Sequence, residues 1–200
     1  KTPDENFNYM VNTWNAYQCF LTFTWSRAAS FIYCGHRNGY GYRDTVQDIQ
    51  GVVHLVPELA KKQLVFMLSA QVSNGAGLPL VKYNHNPGNE DTPDDFSYIK
   101  KTGHPSYRAD DALWLFPTIK QYITETGDVS FLDEIVPYAD KDHDSVYDHL
   151  RKAIEFSWNK LGLNGLPAGL YADWNDCLRL GEKGESTFVA MQLYYGLNIM

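Results

Sequence analysis

The stretch DSVYDHLRKAIEFSWNKLG, residues 144–162, predicts the fold class more clearly than any other part of the chain. Apolar side chains recur in it at spacings of three and four, the period that places them on one face of an α-helix. Asp144 or Ser145 can cap the first turn, and Gly162 follows as a C-terminal cap. These signals predict an amphipathic helix with an apolar face formed by Val146, Leu150, Ala153, Ile154, Ser157, Trp158 and Leu161.

The same spacing predicts four further helices. They are expected at about residues 7–33, 45–73, 110–126 and 185–200. Thr45 to Asp48 resembles a capping box with Asp in place of Glu. Pro57 predicts a kink or a break near residues 54–56, because proline removes a backbone donor. No strand alternation competes with this pattern, so the chain is predicted to be all-α and built from helical hairpins.

Residues 74–107 are expected to be a long irregular connection between two of these hairpins. The segment is rich in Gly, Pro, Asn and Asp, and only residues 77–83 within it suggest local order. Loops longer than about 15 residues are usually functional or disordered. The segment is therefore expected to help shape the entrance of a site.

Composition excludes several classes of protein. The chain has 200 residues, of which 44% are hydrophobic, and its formal net charge is −7. No apolar run reaches the roughly 18 residues of a membrane span, and the scattered Lys and Arg argue against a nucleic-acid surface. Three cysteines are too few for a disulfide scaffold and suit a reducing compartment, which favours a cytoplasmic location. No metal-ligand or nucleotide-binding motif is present, so neither a metal nor an organic cofactor is expected.

The loop between the first two predicted helices is the first candidate for a binding site. It carries Arg37, Arg43 and Asp44 together with two glycines. Guanidinium forks and carboxylates bind vicinal hydroxyls or phosphate through charge-assisted hydrogen bonds. The alternative is an interhelix turn that an Arg–Asp salt bridge closes.

The loop Ala172-Asp173-Trp174-Asn175-Asp176-Cys177 is the second candidate. A sugar site needs an apolar ring for the C–H face of the sugar and an acid for the glycosidic oxygen, and Trp174 lies beside two carboxylates. The alternative is a buried Trp whose Asp neighbours cap the next helix. A third group, Arg108 to Asp111, precedes a predicted helix, and Asp110 or Asp111 is interpreted as its N-cap.

Several of these motifs resemble a known family. Ser26-Arg27-Ala28-Ala29-Ser30, Tyr42-Arg43-Asp44-Thr45-Val46-Gln47-Asp48 and Ala172 to Leu178 are similar to the inverting disaccharide phosphorylases of glycoside hydrolase family 94. That family includes cellobiose, chitobiose, cellobionate and laminaribiose phosphorylases. The resemblance covers the whole chain and implies that residues 1–200 are the N-terminal portion of an (α/α)6 catalytic barrel, with the rest of the barrel and other domains absent from this chain.

The resemblance also implies roles for individual residues. Asp176 would be the general acid that protonates the glycosidic oxygen, and Trp174 would lie beside it in the donor-sugar subsite. Arg37, Arg43 and Asp44 would hold the hydroxyls of the donor sugar. The residues that bind phosphate lie further along the family's chains, and family members are commonly homodimers.

The expected reaction is phosphorolysis of a β-linked disaccharide to an α-sugar 1-phosphate and a free sugar, with a glucosyl donor favoured over N-acetylglucosamine. Phosphate is already an anion at neutral pH, so this reaction needs no second carboxylate as base. An inverting hydrolase does need one, and Asp44, Asp110 or Asp111 would have to serve. A third possibility is a helical segment that binds carbohydrate without catalysis.

Overall fold

The computed structural model describes residues 1–26, 39–103 and 106–200, and it is mostly helical. The prediction of a helical fold class is therefore confirmed. A π-helical turn, Met10–Asn15, joins the first two helices, and 3-10 helices cover Asp111–Trp114 and Val129–Asp133. The α-helices are α1 (Glu5–Tyr9), α2 (Ala16–Trp25), α3 (Tyr42–Gln50), α4 (Pro57–Leu68), α5 (Phe96–Thr102), α6 (Leu115–Thr126), α7 (Val146–Trp158) and α8 (Thr187–Ile199).

Short antiparallel strand pairs close the connections between the helices. β1 (Gly39–Gly41) pairs with β2 (Leu80–Lys82), with Tyr40 opposite Val81. The other pairs are β3 (Ile135–Pro137) with β4 (His143–Ser145) and β5 (Ala168–Leu170) with β6 (Gly181–Glu185). The sequence analysis did not predict these strands, because segments of three to five residues are too short to show a period of two.

The core lies where α3, α4 and α6 pack on one another. Tyr42, Val46 and Ile49 of α3 follow the i, i+4, i+7 pattern and are fully buried. They meet Leu64 and Met67 of α4, which are also fully buried. This packing fixes α3, and with it the residue that lies at the centre of the candidate site.

The predicted helix over residues 45–73 is two helices. α3 begins at Tyr42 with Gly41 as its N-cap, so the capping box predicted at Thr45 is wrong. The helix ends at Gln50, and α4 starts with Pro57 in its first turn. Proline is tolerated there because the N–H that it lacks has no intrahelical partner in the first turn.

The later helices agree well with the prediction. The hydroxyl of Ser145 accepts a hydrogen bond from the N–H of Asp148 at 3.1 Å, which confirms the cap of α7. However, α7 ends at Trp158, and the N–H of Gly162 instead donates to the carbonyl of Leu166 at 2.8 Å. The predicted connection over residues 74–107 contains β2 and α5, and the hydroxyl of Ser186 caps α8.

The first predicted helix is confirmed only in part. Its helical run ends at Trp25, and Ser26 adopts a left-handed backbone with φ of 52°. Residues 27–33, which the prediction also included, lie outside the described residues. Among the residues that the structure does describe, no helix is both long and apolar enough to cross a membrane.

Candidate active site

Arg43 lies in the first turn of α3 and is the centre of a buried cluster of charges. Its neighbour Tyr42 faces the core, and Arg43 itself is only 4% exposed. The Nη1 atom donates to Oδ1 of Asp110 at 3.0 Å and to the carbonyl oxygen of Asp173. The Nη2 atom donates to Oδ1 of Asp176 at 2.5 Å. One guanidinium fork therefore connects three segments that are distant in the sequence.

The charges around Arg43 keep it in its ionised form. Burial alone would lower the pKa of this guanidinium, but the carboxyl groups of Asp110, Asp111 and Asp176 raise it above its ordinary value. Because a guanidinium is planar and carries its donors in a fixed fork, it also holds its acceptors in a fixed geometry. In the structure both Nη atoms are directed at protein acceptors, while the role of Arg43 in binding the donor sugar stays a prediction.

Asp176 occupies the edge of this cluster that faces solvent. Its side chain is 63% exposed, although its Oδ1 contacts the buried Arg43. The Nε atom of Arg108 lies 3.5 Å from the same oxygen, which is an electrostatic contact rather than a well-formed hydrogen bond. Asp176 thus has one oxygen held by a hydrogen bond from Arg43, with Arg108 near it, and a carboxyl group that remains accessible to a ligand.

The loop that carries Asp176 is held by its own carboxylate and by its backbone. Asp173 accepts hydrogen bonds from the N–H of Asn175 at 2.8 Å and from the hydroxyl of Ser186 at 2.6 Å. The N–H of Ala109 donates to the carbonyl of Ala172 at 2.9 Å. The segments around residues 109 and 172 are therefore tied together, so that residues 108–111 approach the loop of Asp176.

The other predicted site residues lie near the same two segments. Trp174 is in the loop of Asp176, and its ring is 52% exposed, as a sugar platform requires. Asp44 follows Arg43 in α3 and is half-buried. A side chain at position 41 would place its Cβ 2.6 Å from Oδ2 of Asp44, so the carboxylate would have to shift to admit it. Arg37 lies outside the described residues.

Asp110 occupies the N-cap position that the sequence analysis suggested, at the start of the 3-10 helix Asp111–Trp114. Its side chain makes no capping bond and is fully buried. Instead, its two oxygens accept from Arg43 and from Nε1 of Trp114, the latter at 3.0 Å. Burial raises the pKa of Asp110, and the charge of Arg43 opposes that effect.

Asp111 is a buried carboxyl group without a hydrogen-bond partner among the described residues. It is 0% exposed, and neither of its oxygens is paired. Burial, and then the charge of Asp110, raise the pKa of Asp111 to about 8. The hydroxyl of Tyr42 is also buried and unpaired. Burial thus favours the protonated form of the Asp111 carboxyl group.

Replacing Asp111 with asparagine should reduce the fall in stability that the wild type shows as pH rises from 6.5 to 8. Folded Asp111 keeps its proton up to a pKa of about 8, whereas an unfolded chain releases it near its ordinary value of about 4. Unfolding therefore releases a proton between these values, and stability falls as pH rises, by at most about 1.4 kcal/mol per pH unit. The Asn variant lacks this release. Urea unfolding midpoints of both proteins, measured from pH 6.5 to 8.5, test the expectation.

The experiment is carried out at pH 6.5 and above so that the titration of a second buried group, His149, does not contribute. Burial lowers the pKa of His149 to about 4. This group therefore makes the protein less stable as pH falls below about 6.5, whereas Asp111 makes it less stable as pH rises. The control is Asp133→Asn, because Asp133 is exposed. Parallel pH curves for the wild type and Asp111→Asn would contradict a proton on Asp111.

Comparison with known proteins identifies the family. Residues 1–200 match the family model described as the catalytic domain of the glycosyl hydrolase 94 superfamily.

The chain belongs to glycosyl hydrolase family 94.

It is 43% identical over 209 aligned residues to an N,N'-diacetylchitobiose phosphorylase of Vibrio proteolyticus, an alignment covering 98% of this chain and 26% of that protein. It is also 42% identical to the protein of that name from Vibrio furnissii, with the same coverage. A solabiose phosphorylase of Paenibacillus borealis is 31% identical, over 99% of this chain and 22% of that protein. The chain thus spans about a quarter of the length of the curated relatives it matches.

Two of the three carboxylates considered as a hydrolytic base are unsuitable in this family 94 chain. Asp110 and Asp111 are both 0% exposed, so neither can deprotonate a water molecule on the solvent side of Asp176. Asp44 is half-buried and is the one that remains of the three. The geometry therefore disfavours the hydrolase alternative without removing it.

Sequence reasoning missed the buried part of this family 94 site. It interpreted Asp110 or Asp111 as a helix N-cap or as the base of a hydrolase, and it gave no role to Arg108. One signal was available, because two adjacent carboxylates before Ala112 and Leu113 lead into an apolar segment that has to be buried. The partner of Asp110, however, is 67 residues away in the sequence, and no local pattern indicates it.

Proposed function

We propose that the protein containing this chain catalyses phosphorolysis of a β-linked disaccharide with inversion, and that Asp176 is the general acid. The observation that carries the proposal is the position of Asp176 beside the exposed ring of Trp174. It is a carboxyl group that solvent can reach, and Arg43 holds one of its oxygens. A general acid must be placed within hydrogen-bond reach of the leaving oxygen, and such a geometry allows this.

A phosphorylase needs fewer groups at this site than a hydrolase does. Inorganic phosphate is the nucleophile, and as an anion it requires no base, whereas an inverting hydrolase requires a second carboxylate about 6.5–9.5 Å from the acid. The burial of Asp110 and Asp111 supports the phosphorylase for this reason. Arg37, Arg43 and Asp44 are proposed to help bind the donor sugar, and the residues that bind phosphate are proposed to lie outside these 200 residues.

The donor sugar proposed first is N-acetylglucosamine. Two relatives at 43% and 42% identity are named N,N'-diacetylchitobiose phosphorylases, and that disaccharide consists of N-acetylglucosamine units. The glucosyl donor favoured in the sequence analysis is the second candidate. The solabiose phosphorylase is only 31% identical, so its name carries less weight in the choice of donor sugar.

The location, cofactor requirement, domain and oligomeric state of the protein are proposals as well. We propose an enzyme of the cytoplasm without metal or organic cofactor, in which residues 1–200 form the N-terminal portion of an (α/α)6 barrel. A homodimer is proposed from the family resemblance. Size-exclusion chromatography with light scattering on the natural polypeptide tests the homodimer directly, and a monomer would contradict it.

Phosphate dependence tests the reaction. The natural polypeptide that contains this chain is incubated with N,N'-diacetylchitobiose, cellobiose or laminaribiose, with and without inorganic phosphate, and sugar 1-phosphate is followed by 31P NMR. Cleavage is expected only when phosphate is present, with an α-configured product, because an inverting attack on a β-linkage gives the α-anomer.

Three other outcomes would each replace the proposal with a different reading. Cleavage at the same rate without phosphate would indicate a hydrolase. A β-configured sugar 1-phosphate would contradict inversion. Binding of the disaccharide without turnover under any of these conditions would favour the non-catalytic carbohydrate-binding segment.

A further inference from the structure

We propose that Arg43 and Asp110 are positioning residues that fix the carboxyl group of Asp176. This inference rests on the proposed function in one respect, the assignment of Asp176 as the acid. The sequence analysis gave Asp110 the role of a helix cap and Arg43 the role of a sugar ligand, and neither role explains the contacts that the structure contains.

Arg43 is held from the side opposite Asp176. Its Nη1 donates to both Asp110 and the carbonyl of Asp173, so the fork cannot rotate without breaking buried hydrogen bonds. The side chain of Arg43 is 5% exposed, and that of Asp110 is 0% exposed. Breaking buried charged hydrogen bonds is costly, since the groups left behind have no water to replace them. The direction in which Nη2 points is therefore fixed by the protein interior.

Asp110 is in turn held in place by the 3-10 helix Asp111–Trp114 that precedes α6. Its second oxygen accepts from Nε1 of Trp114 at 3.0 Å. The carboxylate therefore receives two donors, one on each oxygen, and has the charge needed to balance a buried guanidinium. The connection runs from Trp114 through Asp110 and Arg43 to Oδ1 of Asp176, and each link has a polar distance within hydrogen-bond range.

The consequence for catalysis is a carboxyl group that is accessible but not free to rotate. An exposed aspartate samples several rotamers, and a misplacement of about 1 Å can reduce the rate of a reaction about 100-fold. Fixing Oδ1 of Asp176 leaves its other oxygen with a defined direction toward the exposed side of the loop. Asp110 contributes to the turnover number through this orientation and not through contact with the sugar, and Arg43 contributes through it in addition to its proposed contact with the donor sugar.

Asp110→Asn in the natural polypeptide tests the inference. An amide offers one acceptor oxygen for two donors, so either Arg43 or Trp114 loses its partner, and the buried guanidinium loses its counter-charge. The expected result is a kcat lowered by about 10- to 100-fold with KM within about threefold of the wild type. In a crystal structure of the variant, the carboxyl group of Asp176 should be displaced or adopt more than one rotamer.

Arg43→Lys is the second variant, because it keeps the charge and loses the fork. If Asp110→Asn fails to fold, the displacement of Asp176 in a crystal structure of Arg43→Lys is the deciding measurement, because Arg43 is itself proposed to bind the donor sugar and its replacement is expected to raise KM as well. Asp128→Asn is the matched control, since Asp128 forms an ion pair with Lys61 outside this cluster, and it should leave kcat unchanged. The inference is overturned if Asp176 keeps its position in the variant that folds, or if KM rises as much as kcat falls in Asp110→Asn.

The experiments distinguish failure of the proposed reaction from failure of the positioning role of Arg43 and Asp110. The wild-type assay with and without phosphate decides the reaction, whichever way it comes out. The position of Asp176 in the variant structure decides whether Arg43 and Asp110 orient it, and this holds for a hydrolytic acid as well as for a phosphorolytic one.

Discussion

Asp176→Asn is expected to lower kcat for phosphorolysis of the disaccharide by about 10²–10⁴-fold, the usual contribution of a general acid. The amide oxygen of Asn can still accept from Nη2 of Arg43, and the side chain at this position is 63% exposed, so the fold should be retained. What the variant lacks is the proton that the departing sugar oxygen needs. The measurement is the initial rate of sugar 1-phosphate formation at saturating phosphate.

A substrate with a good leaving group distinguishes removal of the catalytic proton from disruption of the active site as a whole. The 4-nitrophenyl β-glycoside of the same donor sugar releases a weakly basic phenolate that departs without protonation. For this substrate the loss in Asp176→Asn should be less than about tenfold, because the general acid contributes little to its cleavage. Asp133→Asn, which changes an exposed carboxylate, is the control and should resemble the wild type on both substrates. Near-normal phosphorolysis of the disaccharide by Asp176→Asn would show that another residue is the acid.

Gly75→Ala is expected to destabilise the protein by about 2–5 kcal/mol, the sum of a left-handed backbone penalty and of overpacking. Gly75 has a φ of +98°, and an added Cβ would lie 2.0 Å from the carbonyl oxygen of Lys152. That oxygen belongs to the backbone of α7, so it cannot move aside as a flexible side chain would. The turn that follows α4 would have to separate from α7, and urea unfolding of the natural polypeptide measures the cost.

Gly127→Ala is the matched control for that experiment. Gly127 also has a left-handed backbone, with φ of +74°, but a Cβ there would meet nothing within 4 Å. Its substitution should therefore cost only the backbone penalty of about 1–2 kcal/mol. If the free energy of unfolding falls equally in the two variants, the close approach of Gly75 to α7 contributes nothing to the cost of the substitution.

Periodicity and capping residues predicted the long helices well. In α7, the apolar spacing and Ser145 indicated both the helix and its first turn, because those signals are local. The same reasoning failed for α5 and for the strand pairs, whose segments are too short to carry a period. Over residues 45–73 it predicted a kink or a break near residues 54–56, and the structure has the break, with α3 ending at Gln50 and a new helix beginning at Pro57.

The sequence predicted individual residues of the candidate site, including the buried Arg43, but not the contacts that these residues make. Trp174 and Asp176 lie in one short loop, so their combination is visible in the sequence. The interaction of Arg43 with Asp110 and Asp176 spans 67 and 133 residues, and only the packed structure brings these groups together. Burial also decides the ionisation of Asp111, and a carboxyl group's burial cannot be read from its immediate neighbours.

The guanidinium of Arg43 joins the start of α3 to two segments that are synthesised much later, and this has a consequence for folding. Contacts between residues so far apart in sequence form slowly, because a long stretch of chain must be ordered before they can be made. Helices can form from local signals well before that. During refolding, helical circular dichroism should therefore return ahead of enzymatic activity, and the delay between the two would report the time at which Asp176 reaches its place.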